Sequence, residues 1–215
     1  MAGRRSDSDA RETRAAILRR AADIGSVDGL EGVTLGRLAA DLGMSKAGVI
    51  GQFGSKEELQ LETVKVASDI FVSAVWEPAK SAAPGLSRLL AVCASWSAYT
   101  DDPPFPGGCF LATTSVEFAG RTGLVHDALS KALQLWHRTL IKDVVTAIEA
   151  GEMPKNTDPE QVAFALEALA AGVKTAKLLQ NNLNAAGTAF RAMQAVLCYP
   201  HECNQHVRTQ PAGPG

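Results

Sequence analysis

Ser45, Lys46 and Ala47 open a short segment whose apolar residues are Val49, Ile50 and Phe53. Their chemistry is that of contact rather than turnover. Lys46 can donate to guanine O6 and N7 or to a phosphate, and Ala47 can touch a thymine methyl. Thr34, Arg37, Gln52 and Lys56 lie around them and carry groups suited to phosphates, Lys56 at the start of a further helix. The plainer reading makes the same residues helix caps and solvated charges, and the pattern favours DNA contact over it. Catalytic patterns are missing. There is no phosphate-binding loop, HExxH or dinucleotide fingerprint, so no cofactor is expected. Gly43-Met44-Ser45-Lys46-Ala47 lacks the second glycine and the preceding strand of a nucleophile elbow. His126 and His137 have no carboxylate partner visible in the sequence. His201, Cys203 and His206, with Cys198 nearby, carry ligand chemistry, but their spacing matches no standard metal site, and a polar tail is the expectation.

The elements that hold these residues are helices. Over Thr34–Phe53, TLGRLAADLGMSKAGVIGQF, the residues Leu35, Leu38, Ala39 and Leu42 form an i, i+3, i+4, i+7 stripe. Thr34 is placed to cap that helix and Ser45 to cap the next. Gly43 between them can take φ > 0, which stops the first helix sharply. Helix, glycine turn and helix make a helix-turn-helix, whose second helix is shaped for a DNA major groove.

Upstream, residues 1–8 are expected to be flexible, with a first helix starting near Asp9, where Asp9 and Glu12 have capping-box spacing, and stopping at Asp28-Gly29. Ser55-Lys56-Glu57-Glu58 is a second box, opening a long helix to about Val75. Pro78 and Pro84 mark a break. Further helices are expected over 86–99, 109–118, 124–150, 158–182 and 186–198, with a turn-rich DDPPFPGG at 101–108. No strand and no repeat is expected, and about nine helices are.

Composition agrees with an all-α chain. Of 215 residues 46% are hydrophobic but only 6% aromatic, the apolar mass being chiefly Ala, Leu and Val. The net charge of −2 excludes a generally basic nucleic-acid coat, yet residues 1–56 carry nine basic against seven acidic side chains. A +2 head thus sits on a −4 body, as a local phosphate-contacting face requires. Cys93, Cys109, Cys198 and Cys203 show no CxxC spacing and read as reduced thiols of a cytoplasmic protein. No signal peptide or membrane span is apparent.

A three-helix reader, a long connecting helix and a helical body together resemble the TetR family of bacterial transcriptional regulators. The resemblance rests on Arg14-Ala15-Ala16-Ile17-Leu18 with Ala21-Ala22, Gly29, Val33-Thr34, Leu38-Ala39, Leu42 to Gly48, Phe53, and Ser55 to Leu59. It covers about a quarter of the chain closely. Gly107-Gly108-Cys109-Phe110-Leu111 with Glu117-Phe118 is similar to the body of one subgroup. The family's frequent Tyr-x-His-Phe is replaced by Ile50-Gly51-Gln52-Phe53, removing a tyrosine phosphate contact. Gly48 and Gly51 weaken the recognition helix by about 1 kcal/mol each relative to alanine.

The resemblance implies a DNA-binding domain over 1–55, an effector-binding and dimerisation domain over 56–200, and a flexible tail over 201–215. It also implies a palindromic double-stranded operator, a homodimer and a repressor released by a small molecule. Trp96, Phe110, Thr113, Thr114, Glu117, Trp136, His137, Leu140, Lys174 and Leu178 could line an effector pocket, against a plainer role in core packing and buried hydrogen bonds. Such a pocket suits a mostly hydrophobic or aromatic molecule with one or two polar handles. The alternatives are a redox- or metal-responsive regulator using the cysteines, and a small helical enzyme with a vestigial head. The absence of a nucleophile–base set argues against the enzyme.

Overall fold

The computed structural model describes residues 2–198, with side chains from Ser8 onward. The expected tail at 201–215, with His201, Cys203 and His206, lies outside the described residues. Those described form an all-α protein without a strand.

Helix α1 (Ala2–Asp28) begins before the expected start at Asp9. No breaker interrupts Arg4–Ala10, so the helix runs through the would-be capping box. There Thr13 Oγ1 donates to the Asp9 carbonyl at 2.8 Å and Ser8 Oγ to Glu12 at 3.2 Å. Gly29, at φ 75°, ends it where the sequence indicates. Helices α2 (Leu35–Leu42) and α3 (Lys46–Gly51) are capped as expected. Thr34 Oγ1 accepts from Arg37 N at 3.2 Å and Ser45 Oγ from Gly48 N at 3.0 Å, with Gly43 at φ 64° between them.

Helix α4 (Lys56–Phe71) starts at the Ser55 cap, whose hydroxyl accepts from Glu58 N. It continues through a π-turn at Val72–Trp76 into α5 (Glu77–Ala79). Pro78 therefore does not break the chain's course. It has no N–H to give to an α-bond, and the turn ahead of it widens so that Glu77 N donates to Val72 O. The break comes after Ala79 instead. Helices α6 (Leu86–Asp101), α7 (Phe110–Phe118), α8 (Leu124–Glu149), α9 (Pro159–Leu178) and α10 (Ala185–Cys198) complete the body. Asp158 caps α9 with Pro159 at its first position. The helix ends four residues early, because Asn181 adopts φ 53° and Asn182 N closes on Ala176 O at 2.9 Å.

One continuous apolar core runs from Ile17, Leu38 and Val49 in the head to Leu140, Leu166 and Leu197 in the body. α1 packs on both α4 and α7, α8 lies against α4 and α9, and α10 covers α6 and α9. Inside this core sits one buried ion pair. Asp143 on α8 is 1% exposed and takes two bonds from Arg88 on α6, Nε at 2.8 Å and a terminal nitrogen at 2.5 Å. Its Oδ1 also accepts from Gly85 N at 3.3 Å, while Glu152 accepts from Leu86 N at 2.9 Å. Two carboxylates thus satisfy the opening amides of α6.

Removing one partner of such a pair strands the other's charge. Asp143→Ala is expected to destabilise the fold by about 3–5 kcal/mol in urea titration. A loss below about 1 kcal/mol would show that water, not Asp143, satisfies Arg88.

Candidate functional site

The first candidate surface is the face made by α2 and α3. Val49 and Phe53 are buried and anchor α3 to the core, which leaves Ser45, Lys46 and Ala47 exposed. Arg14 of α1 fixes the far end. Its guanidinium lies 4.3 Å from the Phe53 ring centroid and bonds to the Gln52 carbonyl and to Glu62. Lys46 reaches back over Gly36, where a Cβ would stand 3.2 Å from its Cε. Thr34 and Arg37 are exposed on the same side, and Gln52 and Lys56 are half-buried at its edge. Arg37 pairs with Asp28, and Lys56 with Glu31 at 3.1 Å. Each of those two cations already faces a carboxylate, which a phosphate would have to share or displace. Lys46 carries no ion pair among the described residues, so its charge is immediately available.

The second is a cavity of about 1040 Å³ in the body, walled by α4, the π-turn and helices α6 to α9. Its walls are chiefly apolar. Phe71, Trp96 and Trp136 meet edge to face, with centroids 5.0–5.9 Å apart, and Trp76 joins them on the wall. Polar groups are few: Ser68, Asp69, Thr100, Ser115, Gln134, His137, Arg138, Thr139 and Glu167, with Cys109 the one thiol. The volume and the mixture are those of a small-molecule site.

Of the ten residues singled out from the sequence, Trp96, Trp136 and His137 stand on this wall. Leu140 is 1% exposed in the core, and Leu178 is exposed on the surface. Lys174 of α9 and four residues of α7 sit elsewhere, the four for one geometric reason. Successive residues on a helix turn by about 100°, so α7 has two faces. Leu111, Ala112 and Ser115 face the cavity; Phe110, Thr113, Thr114 and Glu117 share the other face. Phe110 is fully buried beside Gly25, and Thr114 donates to the Phe110 carbonyl at 3.0 Å. Glu117 accepts from Leu30 N at 2.7 Å and Glu31 N at 2.9 Å. Thr113 Oγ1 donates to the Ser26 carbonyl at 2.9 Å, and Lys174 Nζ donates to it at 3.0 Å and also to Thr113 Oγ1. These residues bind the head to the body. Phe71, Val72, Trp76 and Glu167 were not singled out from the sequence, and Cys109 was named there only as a thiol and not as a cavity residue. A stripe of large residues on the long connecting helix was the available signal for the first three.

His137 does find carboxylates, correcting the expectation from sequence. Nε2 lies 2.8 Å from Glu160 and Nδ1 3.0 Å from Glu167, both on α9. His126 likewise has Asp127 at 2.9 Å. The bond to Glu160, with Glu167 behind it, raises the His137 pKa against its burial. Burial raises that of Glu167 despite His137.

Two family models span this architecture. The one described as "Bacterial regulatory proteins, tetR family" matches residues 17–63, and "Tetracyclin repressor-like, C-terminal domain" matches residues 85–193. The chain belongs to the TetR family. It is a DNA-binding transcriptional regulator with a helix-turn-helix head and a ligand-binding body, in a family of regulators rather than enzymes. Solved TetR structures share the fold. A regulator from Chloroflexus aurantiacus J-10-FL is 21% identical, with a TM-score of 0.81 over 89% of this chain and 97% of that one. One from Cytophaga hutchinsonii is 22% identical, with a TM-score of 0.75 over 88% and 94%. AibR, solved with isovaleryl coenzyme A and operator DNA, is 21% identical, with a TM-score of 0.73 over 87% and 99%. No curated protein is similar enough to count as a match. Among the described residues of this TetR protein no helix is long and apolar enough to cross a membrane.

The histidine bridge sets a pH dependence. A raised folded-state pKa makes the stabilisation complete below the unfolded value near 6.5, and lost as pH rises through the folded value. Wild type should therefore exceed His137→Gln in thermal midpoint at pH 6. The gap should close in alkaline buffer. A gap that widens with pH would mean the neutral imidazole is the stabilising form.

Proposed function

We propose that the protein is a homodimeric repressor, released from a palindromic operator by a small apolar or aromatic molecule held in the α4–α9 cavity. The carrying observation is the double use of α7. One face lines the cavity and the other holds the C-terminal end of α1, so a ligand that shifts the helix also shifts the reader. The long helix from Lys56 contributes a second link. Ser68, Phe71 and Val72 touch the cavity, while Gln60 Nε2 donates to the Leu30 carbonyl at 2.9 Å. A ligand shifts this equilibrium only by binding the released state more tightly.

The division into a DNA-binding unit at 1–55 and an effector and dimerisation unit at 56–200 follows the Ser55 cap. Lys46 and Ala47 read base edges, with Ser45 presenting them. Thr34, Arg37, Gln52 and Lys56 hold phosphates. Trp96, Trp136 and His137 contact the effector. Among the cavity's charged groups only Arg138 and His137 are basic, against Asp69 and Glu167. A multiply charged effector would leave too many desolvated charges unpaired there.

Dimerisation is assigned to α9 and α10. Val162, Leu166, Met193 and Leu197 are spent on the protomer's own core. Phe164, Ala168, Ala171, Gly172, Leu178 and Leu179 remain exposed along one stripe of α9, with Phe164 at 69% and Leu179 at 78%. A second copy would bury them in a four-helix contact of roughly 2,000 Å².

Sedimentation at micromolar concentration should give a dimer, and Phe164→Asp a monomer; a monomeric wild type sinks this interface. Half-sites selected from random duplexes should lie about one helical turn apart, ~34–36 Å, or a multiple of that. Lys46→Ala should weaken binding to the selected site by about 1–3 kcal/mol. Unchanged binding would remove Lys46 from the interface.

A further inference from the structure

Most polar groups on the cavity wall already have a partner within the protomer. Ser68, Thr100, Ser115 and Thr139 each donate to a carbonyl of their own helix. Asp69 meets Lys65 at 2.9 Å, and Glu167 meets His137 at 3.0 Å. One charged group on the wall differs. Arg138 donates its Nε to the Gln134 carbonyl one turn back, at 3.1 Å. Its two terminal nitrogens have no acceptor, and it forms no ion pair, among the described residues.

The neighbouring charges along α8 have the same sign. Lys131 and Lys142 stand seven residues before Arg138 and four after it, which places all three on one face of the helix. All three are exposed, and no carboxylate lies between residues 131 and 142. Neither lysine is in an ion pair among the described residues. The helices packed against α8 do not reverse this field. α4 brings Asp69 with Lys65 beside it. α9 brings Glu160 and Glu167, both held by His137, which points about 100° away from Arg138 around the helix.

We propose that the cavity takes a monocarboxylate with an apolar, aromatic body, whose carboxylate sits at the mouth on Arg138. This rests on the effector reading above and names the ligand class. Phe71, Trp96 and Trp136 receive the body of the molecule. The guanidinium fork matches the two oxygens of a carboxylate, and with Nε occupied the terminal nitrogens still present a pair of N–H donors. At an exposed arginine the carboxylate keeps part of its hydration. A single charge there avoids the desolvation that excludes a multiply charged guest from the interior. An amine of the same shape would meet repulsion from Lys131, Arg138 and Lys142, and would find Asp69 and Glu167 already paired.

The test titrates the full chain in neutral buffer with 4-phenylbutyrate, its neutral amide 4-phenylbutyramide and the cation 4-phenylbutylamine, read by tryptophan fluorescence. The acid should half-saturate the quenching at a concentration about three- to tenfold below the amide's, as an exposed but bidentate pair allows. The amine should need more than either. Added salt should narrow the gap between acid and amide. In Arg138→Gln the ratio of acid to amide should fall to about one, and Arg138→Lys should keep part of the preference. The acid should also release the selected operator at a lower concentration than the amide. Acid and amide bound alike by the wild type, the amine bound most tightly, or a preference for the acid that survives in Arg138→Gln would overturn the carboxylate handle and leave the cavity reading intact. Quenching by none of the three would overturn the cavity reading and the handle together.

Discussion

The carbonyl of Ser26 is the point on which the two halves of this protein depend. It belongs to the last turn of α1, where carbonyls lack helical partners and the negative end of the helix dipole gathers. Thr113 from α7 and Lys174 from α9 both donate to it, and Gly107 N donates to Ser26 Oγ at 3.0 Å. Gly107 has no side chain because none would fit: a Cβ there would collide with that carbonyl. A helix end that water would otherwise solvate is instead a socket, and the body supplies the plug. Glu117 does the complementary work one turn on, accepting the amides of Leu30 and Glu31. Both kinds of unsatisfied group in the α1–α2 turn are thereby answered from the body.

This arrangement gives the joint directionality. The head presents its groups from a rigid reader held by Arg14, Phe53 and Glu62. The body presents its groups from α7 and α9, which also wall the cavity. Any rotation of α7 about its own axis moves both faces together, since nine residues leave little room to bend. The aromatic set formed by Phe71, Trp96 and Trp136 stiffens the opposite wall. A guest is therefore more easily accommodated by the short helix than by the long ones.

What could be read from sequence follows from how local each signal is. Thr34, Ser45, Ser55 and Asp158 cap their helices through bonds spanning two or three residues, and all four were legible. The end of α9 was misplaced because Asn181 in a left-handed conformation looks like an ordinary polar residue until the chain is folded. The start of α1 was misplaced because a capping-box spacing can also occur inside a helix. Cavity residues were the least legible. Phe110, Thr113, Thr114 and Glu117 have the right chemistry for a pocket, yet the 100° step puts them on the far side of α7 from Leu111, Ala112 and Ser115. The polarity of a segment does not say which of its faces meets a void, and only packing against α1 decided it. His137 found Glu160 and Glu167 for the same reason, at separations of 23 and 30 residues.

The π-turn at Val72–Trp76 has a consequence for how this body can vary. Such a turn holds one residue more than the α-helical path requires, and here it carries Val72 and Trp76 on the cavity wall. Losing a single residue in it would return the segment to a plain α-helical path and change which side chains reach the cavity there, while leaving Lys56 and Gln60 where they are. The turn is thus a natural dial for the inner shape of the body: lineages could retune what fits inside by one-codon insertions or deletions, with the reader's footing unchanged.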